Sequence, residues 1–251
     1  MTFWMLSRAG GLLACVLAAV ALAACGGDDD SKPLSTASGG GASSAAPANP
    51  TAVRDPTGGG YVAKMKALSI PPELAKGRNL GSDDARVKLE MFEDFRCIHC
   101  LEFTGDFEQF LVDSYVKTGK VQLQFRYFPL GQPSLPMMVA AECASQQGQF
   151  WPYAKKLFTV QAESYEGGAA LQDAFTEAKF KDYAAELTLD TAKFATCYAT
   201  DSTLDAVAND YREVQALSLK GTPAFVVNGK LLAENPANNA AWKSVLDGAA
   251  K

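Results

Sequence analysis

Cys97 and Cys100 stand two residues apart and enclose His99, the single histidine of the chain. Thiols at this spacing can close a small disulfide ring. The chemistry they support is thiol–disulfide exchange, in which a thiolate attacks a sulfur–sulfur bond. The run VKLEMFED (87–94) alternates, with Val87, Leu89 and Met91 on one side, and reads as a strand leading into the pair. After the pair, Phe103, Phe107, Phe110, Leu111 and Tyr115 recur at helical spacing over 101–116. The pair therefore falls at a strand-to-helix corner. There the first thiol meets backbone N–H groups that the helix leaves unused, together with the positive end of its dipole. An imidazolium at His99 would add to that field. These effects favour a thiolate at Cys97, which makes Cys97 the expected nucleophile and Cys100 the resolving thiol. A lowered thiol pKa stabilises the reduced pair and makes its disulfide the stronger oxidant. The competing readings are half of a zinc or copper site and an inert disulfide. Zinc asks for four N or S ligands, and the chain has no second C-x-x-C and no remote histidine.

The elements that must position this corner can be read around it. VQLQFRYF (121–128) alternates as a second strand, completing a β-α-β unit. A helical stretch over roughly 134–217 follows, punctuated by Pro152, Gly167-Gly168 and Asp190. Two short strands, 222–227 and 230–232, are joined by Asn228-Gly229, the signature of a type I′ turn, and a last helix covers 239–250. The order predicts an α/β protein with a mixed sheet flanked by helices. Pro223 opens a strand, where proline is often only an edge residue. A cis bond after Thr222 would instead set backbone groups beside the sulfurs, where a substrate strand could pair.

The 251 residues carry a net charge of −5, which excludes a basic nucleic-acid footprint. One histidine excludes a H-E-x-x-H zinc site, and any Ser-His-Asp triad would have to use His99. No G-x-G-x-x-G, P-loop or internal repeat occurs. Residues 1–24 read as a secretory signal peptide with an apolar run too short to span a bilayer, an uncleaved anchor helix being the alternative. The segment Leu22-Ala23-Ala24-Cys25 resembles a bacterial lipobox, which implies cleavage before Cys25 and lipid on its thiol. Cleavage without lipidation after Ala23 or Ala24 is the other reading, and Cys15 reads as part of the signal. Residues 25–60, the lipidated Cys25 and a Gly/Ser/Ala/Pro segment, are expected to be a flexible tether, and 61–251 the folded domain. Four cysteines remain in that domain, an even number in an exported setting, which suggests disulfides.

FEDFRCIHC (92–100), GTPAFVVNG (221–229) and AAECASQQGQFW (140–151) together resemble the DsbA-like family of thiol:disulfide oxidoreductases, over roughly residues 79–246. The resemblance implies a thioredoxin fold with a helical insertion over about 131–218. It implies catalytic Cys97 and Cys100, His99 tuning their redox poise, and cis Pro223 with Thr222 shaping substrate contact. No metal or organic cofactor is implied. The expected partners are thiols and disulfides of exported proteins and a membrane protein that reoxidises the pair. The expected state is a monomer held by its lipid on the outer side of the bacterial cell membrane. Oxidation of substrate thiols is the leading expectation. Reductase or isomerase action, and a thioredoxin-fold metal chaperone, are the alternatives. Two positions depart from the family: Ile98 stands where Pro is familiar, and Met91 stands six residues before Cys97, where the family often has an acid. Glu90 points to the opposite strand face, which leaves Glu93 or water to move the proton of Cys100. Cys143 and Cys197 are expected to form a structural disulfide between two inserted helices, against the alternatives of two buried thiols or a second redox pair. Phe150, Trp151, Tyr153, Leu157 and Phe158 read as core, and the acidic patches at 28–30 and 173–177 as solvated surface.

Overall fold

The computed structural model describes residues 60–251, so the expected signal peptide, Cys25 and nearly all of the expected tether lie outside the described residues. The first elements are helix α1 (Tyr61–Ala67) and two strands of two residues each, β1 (Ala75–Lys76) and β2 (Asn79–Leu80). Strands so short carry no alternation to detect in a sequence. Strand β3 (Val87–Glu93) follows the expected apolar run and is buried along most of its length. Strand β4 is Val121–Tyr127.

Between them the chain is helical over 98–116, as α2 (Ile98–Phe103) and α3 (Gln109–Leu111), each followed by a π-wound turn, Thr104–Glu108 and Val112–Val116. The π turns hold more residues each, so the buried face advances along the chain. Phe107 and Phe110, expected on the core face, are half-buried, while Thr104 and Glu108 are buried.

The helices between β4 and the next long strand are α4 (Leu135–Ser145), α5 (Phe150–Gly167), α6 (Leu171–Ala174), α7 (Glu177–Glu186), α8 (Thr191–Tyr198) and α9 (Leu204–Ala216). Pro152 sits inside the first turn of α5, where its missing N–H costs nothing. Strands β5 (Ala224–Val227) and β6 (Lys230–Leu231) form the hairpin, with Asn228 and Gly229 at φ 49° and 77° as a type I′ turn requires. Helix α10 (Asn239–Ala249) closes the described chain.

The sheet order is β1-β2-β4-β3-β5-β6. Strands β3 and β4 are parallel, in register from Val87 opposite Val121 to Glu93 opposite Tyr127, and β5 runs antiparallel to β3. The main core holds Leu89, Met91, Phe95, Phe125, Phe158 and Trp242. A smaller core of Phe92, Phe128, Val214 and Val226 lies between the sheet and α9. Phe150, Trp151, Tyr153, Leu157 and Phe158 are all core residues. This is a thioredoxin fold, a mixed sheet flanked by helices, with six helices inserted between β4 and β5.

Two devices fasten the inserted helices. Asp210 on α9 is buried. It accepts a hydrogen bond from the Tyr127 backbone N–H at 2.8 Å, and it pairs with Arg78 and Arg126. A buried carboxylate is tolerated when its lone pairs are filled in this way. Cys143 on α4 and Cys197 on α8 are joined in a disulfide spanning 54 residues of sequence. Closing a loop of that length is worth about 4 kcal/mol in the chain-entropy model. The double variant Cys143→Ser/Cys197→Ser is expected to melt about 10 °C lower in calorimetry while keeping the thiolate titration of Cys97. Loss of that titration would show that the disulfide shapes the redox turn itself.

Candidate active site

The redox turn is built on Asp94, the residue after β3, whose side chain is fully buried. One carboxylate oxygen accepts the Arg96 N–H and the other the Leu130 N–H, each at 2.8 Å, and the Asp94 carbonyl accepts the Cys97 N–H at 3.0 Å. These bonds reverse the chain and leave Cys97 in an extended conformation as the residue before α2. The N–H groups of Cys100 and Leu101 both donate to the Cys97 carbonyl at 3.2 Å. Opposite this turn, the Thr222–Pro223 peptide bond is cis. The Cys97 thiol donates to the Thr222 carbonyl at 3.3 Å, and Asn235 Nδ2 donates to the Pro223 carbonyl at 2.8 Å. Cys97, Cys100, Thr222 and Pro223 thus meet at one place.

The two thiols are free, and their environments differ. Cys97 is pulled down to about 6. The main cause is a hydrogen bond from the Cys100 thiol, which favours the anion. Partial burial opposes it, and the Thr222 hydroxyl and the backbone N–H groups of Cys100 and His99 reinforce it. Cys100 is fully buried and is pushed well above the ordinary thiol range, first by burial, then by its bond to Cys97 and by the charges of Glu93 and Cys97. His99 Nδ1 lies 2.7 Å from Glu102 Oε2, with its side chain partly exposed. The leading groups that depress the Cys97 thiol are the neighbouring thiol, a hydroxyl and backbone N–H groups.

Met91 is buried in the main core, and Glu90 forms an ion pair with Arg126 at 2.8 Å. The acid near the sulfurs is Glu93. It is buried, its Oε2 has no hydrogen-bond partner, and burial, then the charges of Glu108 and Cys97, push it well above the carboxylate range. Glu108 is pushed up to about 8 by burial, against the pull of the Thr104 hydroxyl and the Lys155 ammonium. Lys155 on α5 donates at 2.6 Å to the Leu68 carbonyl just beyond α1. Asp94, Glu108 and Lys155 were not among the residues expected from sequence. A signal for Glu108 existed: Leu101, Thr104, Glu108, Leu111 and Tyr115 recur at spacings of three and four, which sets an acid on an apolar helix face. Nothing local marks Lys155.

A free thiol at a helix start, a second free thiol fully buried and a cis-proline loop on a thioredoxin fold are the arrangement of a thiol:disulfide oxidoreductase. A family model described as thioredoxin matches residues 73–248. The chain is 30% identical over 159 residues to a probable disulfide bond formation protein D of Bacillus anthracis, covering 61% of this chain and 70% of that protein. It is 29% identical over 165 residues to a Na(+)/H(+) antiporter NhaA of Herminiimonas arsenicoxydans, covering 65% of this chain but only 24% of the antiporter. Among solved structures, oxidised BdbD from Bacillus subtilis superposes with a TM-score of 0.61 at 23% identity, covering 70% of this chain and 93% of that one. The chain belongs to the thioredoxin family.

The electrostatics lead to a titration. The Cys97 thiolate, followed by its ultraviolet absorbance or by alkylation rate, is expected to form with a midpoint near 6, so that reactivity is full above that pH and is lost as pH falls through it. Cys100→Ala removes the largest stabilising bond and is expected to raise the midpoint by about one unit or more. A midpoint unmoved by Cys100→Ala would assign the depression to the helix start alone.

Proposed function

We propose that this protein is an extracytoplasmic, membrane-tethered oxidase of thiols in exported proteins, working through a Cys97–Cys100 redox disulfide. The observation that carries the direction is the split between the two thiols, Cys97 pulled down to about 6 and Cys100 pushed up. In the oxidising reaction a substrate thiolate attacks the Cys97 sulfur. The bond to Cys100 breaks, and its electron pair stays on Cys100, which takes up a proton. A second substrate thiolate attacks the substrate sulfur held by Cys97. The substrate disulfide forms and Cys97 leaves as a thiolate, which is a good leaving group because it is stable near neutral pH. Two electrons have passed to the pair, and a membrane redox partner removes them by the reverse exchange.

The high pKa of Cys100 makes its proton the difficult part. Glu93, whose proton burial holds well above the carboxylate range and which is in electrostatic contact with both sulfurs, supplies that proton when Cys100 departs and takes it back on reoxidation. This role falls to Glu93 because Met91 carries no proton. The signal segment would direct export, and a lipid on Cys25 would hold the domain outside the cell membrane through the 25–60 tether, in reach of exported chains.

The test of the function is Cys100→Ser in the native host. It is expected to accumulate mixed disulfides between Cys97 and exported proteins, and none when Cys97→Ser is added. No thiol-linked partner in either strain would overturn the assignment. A second test uses the buried acids. Glu93→Gln is expected to slow peptide oxidation about a hundredfold. The folded-state pKa of Glu108 is raised above its unfolded value near 4.5, so its burial costs stability as pH climbs from there to about 8. Glu108→Gln is therefore expected to raise the melting temperature by about 5 °C at pH 8 and to leave it unchanged below about pH 4.

A further inference from the structure

Beside the reactive turn lies a small open pocket that the exchange steps do not use. One wall is Arg96 and Ile98, the residues on either side of Cys97. The other is the end of α5 and the segment after it, with Gln161, Ser164, Tyr165 and Leu171. Two of these residues are out of keeping with an ordinary surface dimple. Gln161 is only 3% exposed, yet its Oε1 is buried with no hydrogen-bond partner. Tyr165, one turn further along α5, is 61% exposed, the most exposed large hydrophobic side chain among the described residues. A polar atom left unpaired in a folded chain is rare and calls for a reason, and this one belongs to a residue lining a pocket beside the reactive turn.

A primary amide carries an acceptor and donors, and a peptide group carries one of each, so the two can pair whatever the peptide's side chains are. The last torsion of a glutamine is soft, and rotation about it turns Oε1 from its inward position to the pocket. A substrate cysteine joined to Cys97 places its neighbouring residues about 3.8 Å apart along the chain, and Ile98, next to Cys97, lines the same pocket as Gln161. We propose that Gln161 is a substrate-binding residue, whose carboxamide pairs with the backbone of the peptide segment next to the substrate cysteine while Ile98 and Tyr165 cover an apolar side chain there. This inference rests on the exchange function above and specifies its substrate as extended polypeptide, read without regard to sequence at the backbone and with a preference for an apolar neighbour.

The test compares full-chain wild type with Gln161→Met in stopped-flow exchange against a two-cysteine peptide and against dithiothreitol, which has no backbone to pair. The ratio of the peptide to the dithiothreitol rate constant is expected to fall five- to tenfold, the worth of about one hydrogen bond. A peptide N-methylated at the amide beside its cysteine is expected to lose the same factor with wild type and nothing further with Gln161→Met. An unchanged ratio, or an N-methylation penalty that persists in full in the variant, would overturn the proposal. Tyr165→Ala, at an exposed position, gives an independent reading should Gln161→Met misfold. It is expected to slow peptides with an apolar residue beside the cysteine more than peptides with glycine there, and equal slowing of both would count against the pocket. A wild-type protein that exchanges with neither dithiothreitol nor peptide would instead remove the exchange function, and this proposal with it.

Discussion

A hydrogen bond between two sulfurs organises the redox site. The Cys100 thiol can donate it only if it stays protonated, and it stays protonated because the fold buries it completely. Cys97 can accept it as an anion only if its own proton is easily lost, and the Thr222 hydroxyl and two backbone N–H groups add to that tendency. Each thiol thus sets the other's protonation state. Two chemically identical side chains become a nucleophile and a reserve, and the difference arises from where the Asp94 turn places them rather than from their neighbours in sequence. Asp94 spends both carboxylate oxygens and its carbonyl on shaping that turn. Its burial reads as part of the redox site for that reason.

The same burial creates a problem that the protein meets at a cost. A thiol held protonated at neutral pH must lose and regain its proton within each exchange cycle. The carboxyl beside it is Glu93, itself buried, with an oxygen that has no partner. Glu108 adds a second buried acid, balanced in part by Lys155. Such groups weaken a fold, because a hydrophobic or amide side chain of similar volume would sit there more comfortably. Glu93 near the sulfurs, with Glu108 near Glu93, is the pattern expected where activity is set against stability. The neighbouring core is correspondingly well packed, with Phe95 stacked on Phe125 at 5.3 Å and tilted against Phe158 at 5.2 Å.

The inserted helices do more than enlarge the domain. Helix α5 supplies Phe158 to the core beneath the turn, Lys155 to the buried acids, and Gln161 and Tyr165 to the surface beside Cys97. Because it takes part at three depths, its position must be fixed. Asp210 and its two arginines tie α9 to β4, and the Cys143–Cys197 disulfide ties α4 to α8. These fastenings lie away from the redox pair, so the site can carry unpaired and shifted groups while the frame around it remains satisfied.

The sequence by itself determined the element order, the thiol pair at a strand-to-helix corner, the Asn228-Gly229 hairpin and the resemblance to DsbA-like proteins. These are local patterns: alternation, helical spacing, turn chemistry and short motifs, each decided within a few residues. It also left Glu93 or water as the open substitute once Met91 was seen to lack an acid. The tertiary structure alone decided what surrounds the sulfurs. The neighbour that matters most to the Cys97 charge is a buried thiol, and His99 Nδ1 lies beside Glu102 Oε2. Glu108 shares the buried helix face of Leu101, Thr104, Leu111 and Tyr115, a spacing visible in the sequence, but only the packed chain shows that the acid on it is buried. Lys155, Gln161 and Thr222 reach the site from positions 58, 64 and 125 residues beyond Cys97. Burial and long-range proximity are properties of the packed chain, and they determine pKa values and unpaired atoms, which is why that part of the function could not be read before the chain was folded.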